Sequence, residues 1–295
     1  MKMSCTIKNL ARALLVSSVG WIGFSIGAIA DAGNAAQLKA RYAAMEKDLR
    51  NSPFNRPLII DSKEESDSAT GEVFAVVNHP YAKVNQALKD PANWCDIMIL
   101  HQNTKYCKAS GNINNADLKM LIGKKVSQEL EEAHKMDLNY RLIKSDANSM
   151  AVQLDADQGP MGTKNYRVLL EAVPINSKQT FLHFSYSYAY GLAGSVAIKA
   201  YLASAGRNKV GFSPSEDGSG YIGGVRGMVE RNTMRYYLAI DSYLGALSTP
   251  PDRQLAKRLQ DWYAATERYP RQLRELSRNA YLSMKRDEVR RMETM

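Results

Sequence analysis

Alternation of side chains identifies one segment near the middle of the chain as a strand. From Phe181 to Tyr190 every second residue is large and apolar or aromatic, and the residues between them are mostly small or polar. Because successive side chains of a strand point to opposite faces, this segment predicts a sheet with one aromatic face, which needs a covering layer. That face would carry Leu182, Phe184, Tyr186, Tyr188 and Tyr190.

Further runs of β-branched and aromatic residues, separated by turn residues, predict more strands. With the one above, these are residues 71–78, 97–101, 105–108, 118–122, 138–144, 150–156, 166–174 and 180–190. Asp146-Ala-Asn148 and Asp157-Gln-Gly-Pro-Met-Gly162 supply turn chemistry between the later runs. This spacing favours an antiparallel meander over alternating strand–helix units.

A helical period predicts the other elements. The predicted helices span residues 36–50, 80–89, 191–205, 225–247, 252–266 and 270–292. The strongest runs from Val225 to Leu247 and stops before Pro250. In the last helix, one face would carry Arg271, Arg274, Arg278 and Lys285. Residues 61–70 are predicted to be a polar linker and residues 206–224 a long glycine-rich loop.

The first thirty residues have the composition of an export signal. Lys2, Lys8 and Arg12 precede an apolar run over residues 13–30, which ends in the small residues Ala28-Ile-Ala30 that a signal peptidase requires. We therefore expect a cleaved signal peptide over residues 1–30 and a periplasmic protein. The alternative is an uncleaved anchor in the inner membrane, since 18 residues is at the lower limit for spanning a bilayer.

The charge distribution argues against a nucleic-acid partner. The whole chain has a net charge of +9, from 39 basic and 30 acidic residues. Three of those charges lie in the predicted signal and four in residues 251–295, so the body between them is nearly neutral. A nucleic-acid-binding domain would concentrate positive charge on one surface.

Cleavage of the predicted signal would leave two cysteines, Cys95 and Cys107. An oxidising compartment, an even count and a short intervening stretch that could form a hairpin favour a disulfide between them. The alternative is a pair of buried free thiols, because cysteine is often a small core residue.

Catalytic and metal-binding motifs are weak. The four histidines are dispersed without ligand spacing, and the chain has no serine nucleophile elbow and no phosphate-binding loop. We therefore expect no metal or cofactor. Residues recurring three or four apart share one face of the predicted helix 225–247, namely Arg226, Glu230, Thr233, Tyr237 and Asp241. Arg226 and Glu230 would be a buried pair orienting a ligand if this face looks inward, or a weak surface pair if it looks outward.

The order of these elements resembles the START-like, SRPBCC superfamily and its helix-grip fold. The resemblance rests on Gly71 to Trp94 and on Gly224-Val-Arg-Gly-Met-Val-Glu-Arg231. Gly159-Pro-Met-Gly-Thr163, Lys209-Val-Gly-Phe212 and Glu230-Arg-Asn232 are similar to segments of uncharacterised exported proteobacterial proteins. The resemblance implies an α+β domain in which a curved antiparallel sheet wraps a long C-terminal helix. Its domain would span residues 68–248, after an N-terminal helix and linker (31–67) and before a basic helical tail (249–295).

The resemblance also implies a function, because members of the superfamily bind lipids, sterols or polyketides. We expect a periplasmic carrier with a hydrophobic, lipid- or sterol-like ligand in its cavity. The contact residues would be Glu171, His183, Phe184, Tyr186, Tyr188, Arg226, Glu230 and Tyr237. The alternative is that the aromatic rings pack against one another as a core and line no ligand cavity.

Two other functions stay open. One is an enzyme like the polyketide cyclases or hydrolases, with Glu171, His183 or Glu230 as acid or base; a non-enzymatic role is favoured over it. The other is an envelope interaction module that works through its tail. Residues 270–292 would then touch anionic lipid, unless their basic face is simply solvated.

Overall fold

The computed structural model describes residues 32–216, 218 and 220–294. The predicted export signal lies outside the described residues. None of the helices in the described part of the chain combines the length and the apolar character needed to cross a membrane.

Eight strands within the described residues form one antiparallel sheet in the order β1-β2-β8-β7-β6-β5-β4-β3. From β3 to β8 each strand pairs with the next one in sequence, which confirms the predicted meander. The strands are β1 (Leu58–Glu64), β2 (Ser68–Val77), β3 (Thr104–Gly111), β4 (Asn115–Ile122), β5 (His134–Ser145), β6 (Met150–Gln158), β7 (Thr163–Pro174) and β8 (Thr180–Tyr190).

The helices begin and end close to the predicted limits, with two exceptions given below. They are α1 (Ala35–Arg50), α2 (Tyr81–Leu88), α3 (Pro91–Met98), α4 (Leu192–Ala203), α5 (Gly224–Ala246), α6 (Pro251–Glu267), α7 (Pro270–Leu273) and α8 (Arg278–Thr294). Capping side chains explain where two of these helices begin. The Asn34 side chain caps α1, and Asp90 caps α3, whose first residue is a proline.

The long helix α5 lies across one side of the sheet, which we call the inner face. This face carries Leu182, Phe184, Tyr186, Tyr188 and Tyr190 of β8. Gly71 of β2 marks the crossing point, because a Cβ there would collide with the side chain of Thr233 on α5. An antiparallel sheet that holds a long C-terminal helix confirms the predicted α+β helix-grip fold.

The opposite side of the sheet, the outer face, is covered by α1. Leu38 and Leu49 of this helix are buried against Phe74, Val173 and Phe181. The rings of Tyr42 and Phe181 lie 5.3 Å apart. The N-terminal helix therefore closes a second, smaller core, so both faces of the sheet near β8 are covered.

Three segments differ from the sequence predictions. Residues 58–64, whose end was predicted as linker, form edge strand β1; its exposed Asp61, Lys63 and Glu64 resemble linker composition. Residues 97–101 do not form a strand: α3 continues to Met98, and a short buried apolar run is compatible with either structure. The predicted helix 270–292 is broken, because Arg274 is extended and α8 begins at Arg278.

The C-terminal helices are part of the core. Trp262 of α6 is fully buried and donates a hydrogen bond from Nε1 to the Arg235 carbonyl of α5. Tyr281 of α8 is also buried and donates to the Leu100 carbonyl at 2.9 Å. Lys285 is buried too, so the predicted basic face of this segment does not exist as one surface.

A disulfide joins Cys95 and Cys107, with their Cα atoms 5.2 Å apart, as predicted. The predicted hairpin between them is wrong, because Cys95 lies on α3 and Cys107 on β3. The bond therefore ties a helix to an edge strand of the sheet.

Replacement of both cysteines by alanine should lower the free energy of unfolding by roughly 3 kcal/mol, because the bond restricts the unfolded chain. Urea unfolding of the oxidised protein and of the C95A/C107A variant measures the difference. Wild-type protein kept reduced with dithiothreitol should match the variant. Equal unfolding midpoints with and without the disulfide would contradict this prediction.

Candidate functional site

Aromatic rings from three elements meet on the inner face. Tyr186 and Tyr188 of β8 contact Tyr166 of β7, with centroid distances of 6.1 and 5.6 Å. Tyr236 of α5 lies 5.5 Å from Tyr186 and 6.4 Å from Phe184. The alternation of β8 and its register with β7 place these rings together, as the sequence predicted for Phe184, Tyr186 and Tyr188.

Tyr236 extends this ring group to His101, in the turn between α3 and β3. Their rings stack at 4.7 Å. Nδ1 of His101 accepts a hydrogen bond from the Asn103 amide, so the ring proton lies on Nε2. Burial, followed by the charge of Arg235, holds the pKa of His101 well below 6.5. The ring is therefore neutral, with an N–H donor at Nε2.

Several buried polar atoms of this ring group and of residues 101–104 have no hydrogen-bond partner among the described residues. They are Nε2 of His101, Oε1 of Gln102, Oγ1 of Thr104 and the hydroxyl of Tyr188. Buried polar groups in folded proteins nearly always have a partner, because an unpaired one costs about 1–3 kcal/mol. Water or a bound molecule would remove this cost.

The turn that carries three of these atoms is held rigidly through its backbone. Lys285 Nζ donates to the carbonyls of His101 and Thr104 at 2.6 and 2.7 Å, and Lys105 Nζ donates to that of Gln102 at 3.0 Å. The side chains are therefore presented from a fixed backbone, as a preformed binding site requires.

Tyr236 is the least buried ring of this group. Its side chain is only half-buried, yet burial raises the pKa of its hydroxyl. Two pockets lie elsewhere: about 280 Å³ beside Phe54, Leu58 and Phe212, and about 370 Å³ on the surface of α8.

Glu171 and His183 come together as expected for neighbouring strands, but on the outer face. His183 Nδ1 lies 2.8 Å from Glu171 Oε2, and His183 Nε2 lies 2.8 Å from Glu72 Oε1. Phe74 stacks on the imidazole at 4.6 Å, and the Gly33 amide donates to Glu171 at 2.7 Å. The prediction that both residues share a cavity with Phe184 and Tyr188 is therefore wrong, since odd and even residues of β8 face opposite ways.

This outer-face cluster is an ion-pair network. Burial disfavours the imidazolium, but hydrogen bonds to Glu171 and Glu72 outweigh burial and raise the pKa of His183. Burial likewise disfavours the charged form of Glu72 and of Glu171, but their hydrogen bonds to His183 outweigh burial and lower the pKa of each carboxyl group. Both ring nitrogens already bond to carboxylates, so neither is free to take a proton from a substrate.

Glu230 of α5 is fully occupied by the protein. Its carboxylate accepts hydrogen bonds from the Ser62 hydroxyl at 2.7 Å, from the Phe212 and Ser213 amides at 2.5 and 3.0 Å, and from the Ser213 hydroxyl at 2.6 Å. Arg226 donates to the same Ser62 hydroxyl at 3.3 Å. The predicted direct pair of Arg226 and Glu230 is therefore replaced by a bridge through Ser62, which ties α5 to β1 and to the 211–214 loop.

Tyr237 lies on the same side of α5 as Glu230. It is fully buried, with the Arg56 guanidinium 5.2 Å from its ring centre, and Arg56 pairs with Asp241 at 3.0 Å. The Tyr237 hydroxyl has no partner among the described residues. Its ring contacts Arg56 rather than the ring group of Tyr186 and Tyr188.

The sequence prediction missed His101, Gln102 and Thr104 because it treated residues 97–108 as a hairpin of two strands. It also missed Tyr166, and it treated Tyr236 only as part of an apolar stripe. Six aromatic residues within Tyr166–Tyr190 were a usable signal for Tyr166. No group of three or more histidine, cysteine or acidic side chains in the described part of the chain is placed to hold a metal ion.

Comparison with known proteins gives similarity in fold alone. No family model matches the chain, and no curated protein matches it. Three similar solved structures are norcoclaurine synthase from Thalictrum flavum, a conserved protein from Geobacillus kaustophilus and human StAR-related lipid transfer protein 5. Their sequence identities are 13, 13 and 10% and their TM-scores 0.31, 0.37 and 0.32.

The matched regions cover 48, 60 and 58% of this chain and 77, 95 and 89% of the three proteins, in the same order. The predicted resemblance to START-like proteins is confirmed as a resemblance in fold. Identities and TM-scores this low carry no argument about the ligand of this chain.

Proposed function

We propose that this protein is a non-enzymatic periplasmic carrier that binds a hydrophobic small molecule along the inner face, beneath α5. One observation carries the proposal: a row of rings with an unpartnered polar atom at each end. Centroid distances of 5.8, 5.5 and 4.7 Å connect Tyr188, Tyr186, Tyr236 and His101 in that order. The Tyr188 hydroxyl lies at one end and His101 Nε2 at the other.

The side chains in this row indicate which chemical groups the ligand should carry. The middle of the row offers aromatic surface, which favours an apolar body such as that of a lipid or a sterol. The neutral His101 ring offers an N–H donor, which requires an acceptor oxygen on the ligand. A disulfide between Cys95 and Cys107 is compatible with an oxidising compartment, in line with a periplasmic location.

The enzymatic alternative receives less support. Of its proposed acids and bases, His183 has both nitrogens engaged and Glu230 has four donors around its carboxylate. Glu171 also bonds to the Gly33 amide. The three groups lie at two separate places, and each is satisfied by the protein.

Tyr188→Phe tests the proposal. The variant should lose about three- to tenfold in affinity for a hydrophobic ligand whose polar group bonds to the Tyr188 hydroxyl, since one hydrogen bond is removed. Its free energy of unfolding should be unchanged or slightly higher, because the hydroxyl is unpartnered in the free protein. Affinity is measured by fluorescence, as the concentration of a lipid or sterol that displaces a bound anilinonaphthalene sulfonate probe from the protein. Urea unfolding measures the free energy of unfolding.

The matched control is Tyr263→Phe, whose hydroxyl bonds to the Leu276 carbonyl away from the inner face. Organic extraction of the purified protein, followed by mass spectrometry, identifies the bound molecule. A protein that is always empty and shows no saturable probe binding would refute the proposal.

A further inference from the structure

Helix α4 is apolar on both of its faces. Gly194 and Ile198 point into the protein and are buried. On the opposite face, Leu192 is 92% exposed and Val196 is 68% exposed. A helix that is apolar all round is normally buried on all sides, so its outward face is expected to have a partner.

A second segment adds to this surface. The Pro160–Gly162 turn packs against α4, and a Cβ on Gly194 would lie 2.7 Å from the Gly162 carbonyl oxygen. Gly162 itself has a φ of +76°, which favours glycine. This close approach places Met161, which is 52% exposed, next to the helix. We call Leu192, Val196 and Met161 the exposed apolar patch.

Three basic residues lie close to the exposed apolar patch along the chain: Lys164 follows Met161 by three residues, Lys199 is on α4, and Arg207 follows the end of α4 by four residues. Lys164, Lys199 and Arg207 are exposed, and no ion pair among the described residues includes any of them. The sequence has no acidic residue between positions 191 and 215. Lys199 follows Leu192 and Val196 on the same helical face, at positions i, i+4 and i+7.

We propose that the exposed apolar patch docks the protein on the surface of an anionic lipid bilayer. Apolar side chains with unpaired cations close to them along the chain are the pattern of helices that lie in the membrane interface. The twelve residues of α4 span about 18 Å, too short for a bilayer core, so the helix lies on the membrane. The proposal is independent of the ligand-binding proposal above.

Vesicle flotation tests this docking. The full chain should float with vesicles that contain phosphatidylglycerol, and only weakly with pure phosphatidylcholine. Leu192→Ser/Val196→Ser should reduce binding to the anionic vesicles about tenfold or more. The variant lacks the two apolar side chains that the wild type would transfer from water into the lipid. Both residues are exposed, so the thermal midpoint should not change.

The matched control is Ile113→Ser/Val126→Ser, which changes two other exposed apolar residues, 43 and 50% exposed. This control should bind vesicles like the wild type. Lys199→Glu/Arg207→Glu should weaken binding to anionic vesicles, whereas Lys119→Glu/Lys135→Glu, on exposed sites of β4 and β5, should change it less.

Three results would overturn the proposal. One is equal loss of binding in the serine variant and its control, and another is no flotation of the wild type. The third is a dimer in solution that Leu192→Ser/Val196→Ser converts to monomer without altering vesicle binding, which would assign the patch to a second copy of the chain.

Discussion

Replacement of Glu288 by alanine should lower the free energy of unfolding by about 3–5 kcal/mol, since two buried ammonium groups would lose their shared counter-ion. Glu288 Oε1 lies 2.9 Å from Lys105 Nζ, and Oε2 lies 2.7 Å from Lys285 Nζ. All three side chains are at most 1% exposed. Burial lowers the pKa of Lys285 to about 8 even with the carboxylate in place.

Urea unfolding monitored by far-UV circular dichroism measures this loss. Glu293→Ala is the matched control, because Glu293 is exposed on the same helix and its loss should change stability by less than about 0.5 kcal/mol. A loss below about 1 kcal/mol for Glu288→Ala would mean that water reaches the two lysines.

This cluster also bears on the proposal that the tail works as an interaction module. α8 is attached to β3 through Lys105 and Glu288, and Trp262 of α6 is fully buried against α5. Deletion of residues 251–295 would therefore uncover core side chains. Point variants on exposed surfaces can separate a tail function from folding, whereas this deletion cannot.

The second large effect is expected at His183, whose replacement by glutamine should cost about 3 kcal/mol near pH 5.5. The imidazolium holds Glu72 and Glu171 together on the outer face, at 2.8 Å from each. Without the positive charge of His183, the two carboxylates would repel each other in a partly buried site. Arg41 of α1 also lowers their pKa values and limits the loss.

The pH dependence of the cluster follows from the direction of each pKa shift. The pKa of His183 is raised, so its contribution is complete below its ordinary value of 6.5 and is lost as pH rises through the folded-state value. The pKa values of Glu72 and Glu171 are lowered, so their contribution is complete above 4.5 and is lost as pH falls through their folded-state values. The cluster therefore stabilises most between pH 4.5 and 6.5.

Unfolding by urea at pH 5.5 and at pH 9 measures this dependence. The difference between wild type and His183→Gln should be largest at pH 5.5 and should shrink towards pH 9, because the wild-type imidazole loses its charge as the pH rises through its raised pKa. His134→Gln, on an exposed site of β5, is the control and should show no such dependence. A difference that is the same at both pH values would show that His183 acts through packing alone.

Much of the fold could be predicted because its signals are local. The alternation from Phe181 to Tyr190 depends only on neighbouring residues, and β8 spans residues 180–190 as predicted. The apolar stripe of α5 and the proline after it likewise set that helix. Edge strand β1 was missed because its polar residues are stabilised by pairing with β2, which a local pattern does not contain.

The candidate site could be predicted only in part. The sequence by itself determined that Phe184, Tyr186 and Tyr188 share a face, because strand geometry fixes a period of two. Only the tertiary structure decided which side of the sheet α1 and α5 each cover, and so placed Glu171 and His183 away from the rings. It also decided that Lys285 is buried, although its helical position resembles that of exposed arginines. A lysine can be buried only where distant groups supply a carboxylate and carbonyls, and those partners come from folding.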